Sequence, residues 1–419
     1  MRRWIPSRRS VYAGLCGQKP RHFSAVVNDV ERVSVRTGSS GTITIDLHGI
    51  AKVSSPDSLL VYLPPYSTAF TDGPAQLPRF MQRRPTAVIN YRWDGFTPFQ
   101  TKDLTVQSGE DEVSHLSWPT PIHDTARAYD WIVENLGPSA YTRRDIYIFG
   151  SYLGASLATS LALTETHPHA RMGVRGCVAY NGIYNWTTFL PDHPINKMPK
   201  LRSMNILQEI LSQPDDPRFQ ELRQHAEALF GRADNLFDPF ASSCLFFHTP
   251  GLFVPPSFDA SALPPPAPLL AVGDEFIPLG DTSESTVPIK PPRKSPLGFP
   301  PRSSTLKIPE TLLLHSTPLP LPPSLLRRRQ RRKRDFPGNN FKAQAEELAR
   351  VMRRSIDKIE LKERFKWDDD FDSWNDEAAR RVQVYDVGFH NGELGLGDKG
   401  EELAAGWLED RIAGPDIVK

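Results

Sequence analysis

Apolar residues fall along this chain in two kinds of run, and the way the runs follow one another predicts the architecture. Arg32–Arg36 and Thr42–Leu47 alternate apolar with polar positions on either side of Gly38-Ser-Ser-Gly41, the pattern of two half-buried strands joined by a turn. Ser58–Leu63, Ala87–Tyr91, Asp145–Phe149 and Gly173–Tyr180 are continuous apolar runs of strand length, as expected of strands buried on both faces. Between them the period lengthens. From Pro121 to Leu136 the apolar residues Ile122, Ala126, Tyr129, Ile132, Val133 and Leu136 share one helical face, with Thr120 placed to cap and Pro121 suited to the first helical position. A second helical pattern runs from the end of Asp145–Phe149 to about Thr166. Leu306–His315 reads as a further core strand, a charged helix begins near Asn339, Arg381–Gly388 is a last strand, and Asp398–Ile412 a terminal helix. Short apolar strands alternating with helices predict an α/β fold with a mainly parallel sheet covered on both faces.

Two stretches interrupt the alternation. Residues 183–252 read as an inserted cap, with helical patterns at Leu201–Leu211 and Arg218–Leu229 separated by Pro214-Asp-Asp-Pro217. Residues 255–323 contain 18 of the chain's 40 prolines, and each proline removes a backbone donor, so 253–305 is expected to form no regular layer of the core. The sheet domain is thereby divided into 24–182 and 306–413.

Composition adds little to the fold and more to the address. Among 419 residues the net charge is +1, which gives no general argument for nucleic-acid or membrane binding. Cys16, Cys177 and Cys244 form neither a disulfide framework nor a metal-ligand spacing. No apolar run is long enough for a transmembrane helix, and no nucleotide loop, metal box or dinucleotide fingerprint predicts a cofactor. Before Asp29 the chain has no acidic residue but carries Arg2, Arg3, Arg8, Arg9, Lys19 and Arg21 among Ser and aromatic residues. That is the composition of a mitochondrial presequence, with Arg21-His-Phe-Ser24 expected to be cut after Phe23 and the mature protein delivered to the matrix. The basic block Arg327–Arg334 reads as a solvated loop, and the carboxylates Asp368–Asp370 and Asp372 as a solvated helix end.

The chemistry-bearing motif is Gly150-Ser-Tyr-Leu-Gly154, set between a buried strand and a helix. Glycines at the first and fifth positions of such a turn are the signature of a nucleophile elbow, whose central residue is held in strained backbone. With it, Ser58–Pro65, the Tyr-Arg pair of Ala87–Trp93, the Asp and Trp of Thr120–Leu136, Asn235–Ser243 and Val387-Gly-Phe-His390 occur in an order that resembles the α/β-hydrolase superfamily, in its esterase/lipase branch related to hormone-sensitive lipase. The resemblance covers residues 40–250 and 305–412. It implies a carboxylester-hydrolase-like fold with a helical cap, a nucleophile at the elbow, an acid after the strand ending at His315, and a base at His390.

The side chains depart from that plan. The elbow position is Tyr152, a phenol with a reference pKa near 10 and a bulky ring. Ser151 is one position away and is expected to point elsewhere. Leu63-Pro-Pro-Tyr-Ser67 stands where the resemblance implies a Gly-rich oxyanion loop, and its prolines lack donors. No carboxylate follows His315 directly; Asp274 is the alternative acid. Three readings stay open at this point. One is a hydrolase fold with degenerate catalytic residues. Another is a binding or scaffold protein taking a small apolar ligand or ester in the cap cleft. The last is a hydrolase using Ser151 or Tyr152 with His390.

Overall fold

The structure, a computed structural model, describes residues 30–38, 41–50, 58–68, 73–94, 116–138, 141–190, 193–196, 216–252, 293–317, 339–364, 376–389 and 394–413. Strands β1 (Val30–Arg36) and β2 (Thr42–His48) form the expected hairpin, with Arg36 opposite Thr42. The chain then lays down β3 (Leu59–Leu63), β4 (Thr86–Asn90), α1 (Thr120–Asn135), β5 (Arg144–Ser151), α2 (Leu153–Glu165) and β6 (Met172–Tyr180). Two short helices follow in the cap, α3 (Pro217–Gln224) and α4 (Ala226–Phe230). The last elements are β7 (Glu310–His315), α5 (Phe341–Ser355), α6 (Glu377–Arg381), β8 (Val382–Asp386) and α7 (Gly397–Ile412).

These strands make one eight-stranded sheet in the order β1-β2-β4-β3-β5-β6-β7-β8. The β1–β2 and β2–β4 pairs are antiparallel and every other pair is parallel, so β2 alone runs against the rest. Helices cover both faces, and the alternation of β5 shows how. Tyr147 meets Trp407 of α7 edge-on and Phe149 meets Phe80, whereas Gly150 lies against Gly154 and Ala158 of α2. The central strands are therefore apolar on both sides: all five residues of β3 and of β4 are buried. The cap is tied to the sheet domain by indole donors, Trp93 Nε1 to Leu229 O at 2.8 Å and Trp118 Nε1 to Asp238 Oδ2 at 2.9 Å.

Several element ends differ from the sequence expectations, each for a local reason. Pro119, not Thr120, occupies the N-cap of α1, and no side chain caps it. Strand β7 starts at Glu310 rather than Leu306. Pro309 has no N–H, Lys307 N bonds Thr166 O, and Ile308 N bonds Glu360, so these donors serve contacts outside the sheet. The cap helix expected over Arg218–Leu229 breaks at His225, and the pattern at Leu201–Leu211 lies outside the described residues. In the Pro-rich insertion, residues 293–305 carry no helix and no strand beyond one bridge, Pro296 to His248; residues 253–292 lie outside the description.

Candidate functional site at the elbow

The β5–α2 turn has elbow geometry. Tyr152 stands between the end of β5 and the start of α2 with φ 50° and ψ −113°, a left-handed conformation that costs a non-glycine residue on the order of 1–3 kcal/mol. The flanking glycines explain why the strain persists. A Cβ on Gly150 would lie 2.3 Å from Gly154 O, and one on Gly154 would lie 2.3 Å from both Leu63 O and Pro64 O. The end of β3, the end of β5 and the first turn of α2 are thus pressed together at backbone distance, leaving the chain no wider turn to take. Tyr152 N is spent on Tyr180 O at 2.9 Å, which ties the elbow to β6.

The phenol closes the site instead of arming it. Tyr152 is 3% exposed, and its ring lies edge-on between Tyr180 and Phe341, each with centroids 5.7 Å away. Phe341 continues to Phe219 of α3 at 5.1 Å and Phe219 to Phe189 at 5.2 Å, so aromatic rings from the cap and α5 pack over the elbow. The Tyr152 hydroxyl accepts from Asn181 Nδ2 at 3.3 Å. Burial raises its pKa above the ordinary phenol value; the hydrogen bond from Asn181 opposes the shift and the nearby Asp216 adds to it. A phenol so placed is protonated at neutral pH.

Ser151 faces the other side of the sheet. It shares the strand face of Tyr147 and Phe149, away from α2, is 3% exposed, and hydrogen-bonds the Tyr62 hydroxyl. The expectation that it points away from the elbow position holds. Asp274 and His390, the sequence candidates for acid and base, lie outside the described residues.

The segment after β3 departs furthest from hydrolase chemistry. In a serine hydrolase elbow the N–H of the residue after the nucleophile faces the developing oxyanion. Here that donor, Leu153 N, is bonded to Pro65 O at 3.2 Å. Pro64 O accepts from Tyr91 Oη at 2.8 Å, and Leu63 O and Pro64 O abut Gly154. Leu63-Pro-Pro65 therefore presents carbonyl oxygens to the place where an oxyanion loop presents donors. Its position is fixed from behind. Arg92 pairs in fork geometry with buried Asp124 of α1, Nη2 to Oδ1 at 2.7 Å and Nε to Oδ2 at 2.9 Å, and Ser67 Oγ donates to Tyr91 O at 2.9 Å.

Three residues at the site escaped sequence reasoning. Asn181 follows β6 with φ 49° and accepts from Ser316 N at 2.9 Å through Oδ1. Ser316 Oγ reaches Asn181 Oδ1 at 3.3 Å and Asp216 Oδ2 at 3.2 Å. Asp216 in turn caps α3, accepting from Arg218 N at 3.0 Å. The signals existed: Asn-Gly after a strand favours positive φ, and Asp before Pro217 is a helix N-terminus signature. Among the described residues Asp216 is the carboxylate of this network, and it comes from the cap rather than from the segment after β7. No group of three or more His, Cys, Asp or Glu is placed to hold a metal among the described residues, and no described helix is long and apolar enough to cross a membrane.

The strand order, with β2 alone reversed and a strained turn into a helix after β5, decides the architecture. The fold is that of the α/β-hydrolases. Solved structures similar to the chain include esterases. Carboxyl esterase 2 from the mycorrhizal fungus Tuber melanosporum matches at 12% identity over 91% of this chain and 86% of its own, with TM-score 0.42. An esterase of Pyrobaculum calidifontis matches at 13% identity over 92% and 85%, with TM-score 0.44. Brefeldin A esterase, a bacterial homologue of human hormone-sensitive lipase, matches at 18% identity over 55% and 59%, with TM-score 0.34. No family model and no curated protein matches the chain.

Proposed function

We propose that this α/β-hydrolase-fold protein does not hydrolyse esters through its elbow and acts by binding, as a scaffold. The observation that carries the reading is the bond from Leu153 N to Pro65 O beneath a buried Tyr152. Acyl transfer needs a nucleophile, a base and free oxyanion donors converging on one atom. Here the nucleophile position holds a neutral, enclosed phenol and the oxyanion donor already has an acceptor. Losing one such donor alone costs roughly 10²–10³ in turnover.

The test is hydrolysis of p-nitrophenyl butyrate by the full chain, with Tyr152→Phe and His390→Ala beside it. The expected result is no turnover above buffer in all three. Turnover that disappears in His390→Ala would overturn the reading and restore an unusual nucleophile. We also propose import into the mitochondrial matrix with cleavage after Phe23, supported by the acid-free basic leader. N-terminal sequencing of the protein from its native cell checks it: Ser24 first is expected, and an intact Met1 counts against it.

A further inference from the structure

A second surface of the molecule is open where the elbow is closed. Between α5 and the edge strand β8 runs a groove of about 640 Å³, within the range of small-molecule sites. His315, at the end of β7 and 3% exposed, lines it, with Nδ1 donating to Ser316 O. Five cationic side chains face three carboxylates there.

The carboxylates do not neutralise the cations. Glu346 pairs with Lys342 at 3.7 Å, Asp386 accepts from Gly388 N at 2.8 Å and from Thr317 Oγ1, Asp357 makes no ion pair among the described residues and its pKa is raised by burial, and Arg353 is committed to Val382 O at 2.8 Å. Arg350, Arg354 and Lys358 remain, with no ion pair among the described residues. Arg350 and Arg354 are four residues apart and so project from one side of α5, and Lys358 follows in the π-helical turn Ile356–Glu360; all three line the groove, where like charges repel one another. Nothing in the fold of α5 requires that repulsion, and a bound anion would relieve it.

The edge strand argues against an added peptide strand. Arg353 occupies the Val382 carbonyl and Lys399 Nζ the Asp386 carbonyl, so two acceptors that a pairing strand needs are taken, and an acidic strand would also meet Asp386. What fits is compact, multiply anionic and rich in acceptors. We propose that the α5–β8 groove binds a phosphorylated small molecule through Arg350, Arg354 and Lys358. Guanidinium groups suit the paired oxygens of a phosphate, and the ammonium adds a point charge.

The experiment is calorimetric titration of the full chain with inorganic tripolyphosphate at low salt, where exposed charges are least screened. Wild type is expected to bind, and the triple variant Arg350→Ser/Arg354→Ser/Lys358→Ser to lose at least about tenfold in affinity, which is ~1.4 kcal/mol. Circular dichroism is expected to show the variant folded, and the charge-keeping variant Arg350→Lys/Arg354→Lys to retain most of the affinity. A second chain has the basic residues of the 327–334 block changed to Ser. Binding that survives the triple variant and vanishes in the block variant overturns the proposal, as does no binding in the wild type. Co-sedimentation with phosphatidylcholine vesicles carrying phosphatidic acid separates the sources of the phosphate. Loss of sedimentation in the triple variant assigns the groove to a lipid headgroup; wild-type binding of tripolyphosphate without sedimentation assigns it to a free phosphorylated molecule.

Discussion

The β5–α2 turn and the segment after β3 touch one another at Gly154, yet they differ in how they compare with a hydrolase elbow. The turn retains the whole backbone device: the strained φ of Tyr152, the two glycines and the helix that starts at once after it. The facing Leu63–Pro65 segment keeps its place but supplies carbonyls where donors belong. The difference teaches that elbow geometry and elbow chemistry are held by separate causes. Geometry comes from backbone packing across three strands and a helix, which involves the backbone of Tyr152 and not its side chain. Chemistry depends on which way a few peptide groups point and on an open space above them, and both are easily lost.

The largest expected effect tests whether Tyr152 now belongs to the core. Tyr152→Ala should cost about 4 kcal/mol in chemical denaturation, as for a buried aromatic removed from a packed site. A cost under about 1 kcal/mol would mean that the ring lines a cleft rather than filling one. Gly154→Ala comes next, at about 3 kcal/mol, because the new methyl meets two backbone carbonyls that have no flexible end to move. Tolerance of alanine there would break the claim that backbone packing holds the turn.

The ties behind the site titrate. Glu347 of α5 pairs with His248 Nε2 at 3.3 Å and accepts from Asn185 Nδ2 at 3.2 Å, joining α5 to both ends of the cap. Burial pushes its pKa up, but the hydrogen bond and charge of His248 and the bond from Asn185 outweigh it, leaving the pKa below the ordinary 4.5. A carboxylate lowered on folding stabilises the native state above its unfolded pKa, and that stability drains as pH falls through the folded value. Glu347→Gln should therefore cost about 2 kcal/mol at pH 7 and make stability flatter below pH ~5, read from denaturation midpoints against pH. A variant with an unchanged acid limb would remove Glu347 from this role.

The smallest effect separates strain from bonding at Asn181. Both Asn181→Ala and Asn181→Gly lose the bonds to Tyr152 and Ser316, but glycine adopts a φ of 49° freely. The glycine variant should be more stable than the alanine variant by about 1 kcal/mol. Equal stabilities would mean that the turn relaxes when the side chain is removed.

Much of the fold was legible in the residues. The period-2 runs around Gly38–Gly41, the apolar runs of β3 to β6 and the Gly150–Gly154 spacing each have a local cause, and each appears in the structure at nearly the expected place. The Tyr at the elbow was legible as well, since its chemistry follows from its identity. The element ends at Pro119, Pro309 and His225 were not, because they depend on partners such as Thr166 O and Glu360 that are distant in sequence. Nor was the site network. Asn181, Ser316 and Asp216 come from three different parts of the chain, and nothing local says that they meet. The amino-acid sequence by itself determined the sheet, the strained turn and the missing serine, because periodicity, glycine spacing and residue identity are local properties. Only the tertiary structure decided that Tyr152 is enclosed, that the Leu153 donor is taken by Pro65, and that the cations of α5 line a groove. Those outcomes depend on which distant surfaces pack together.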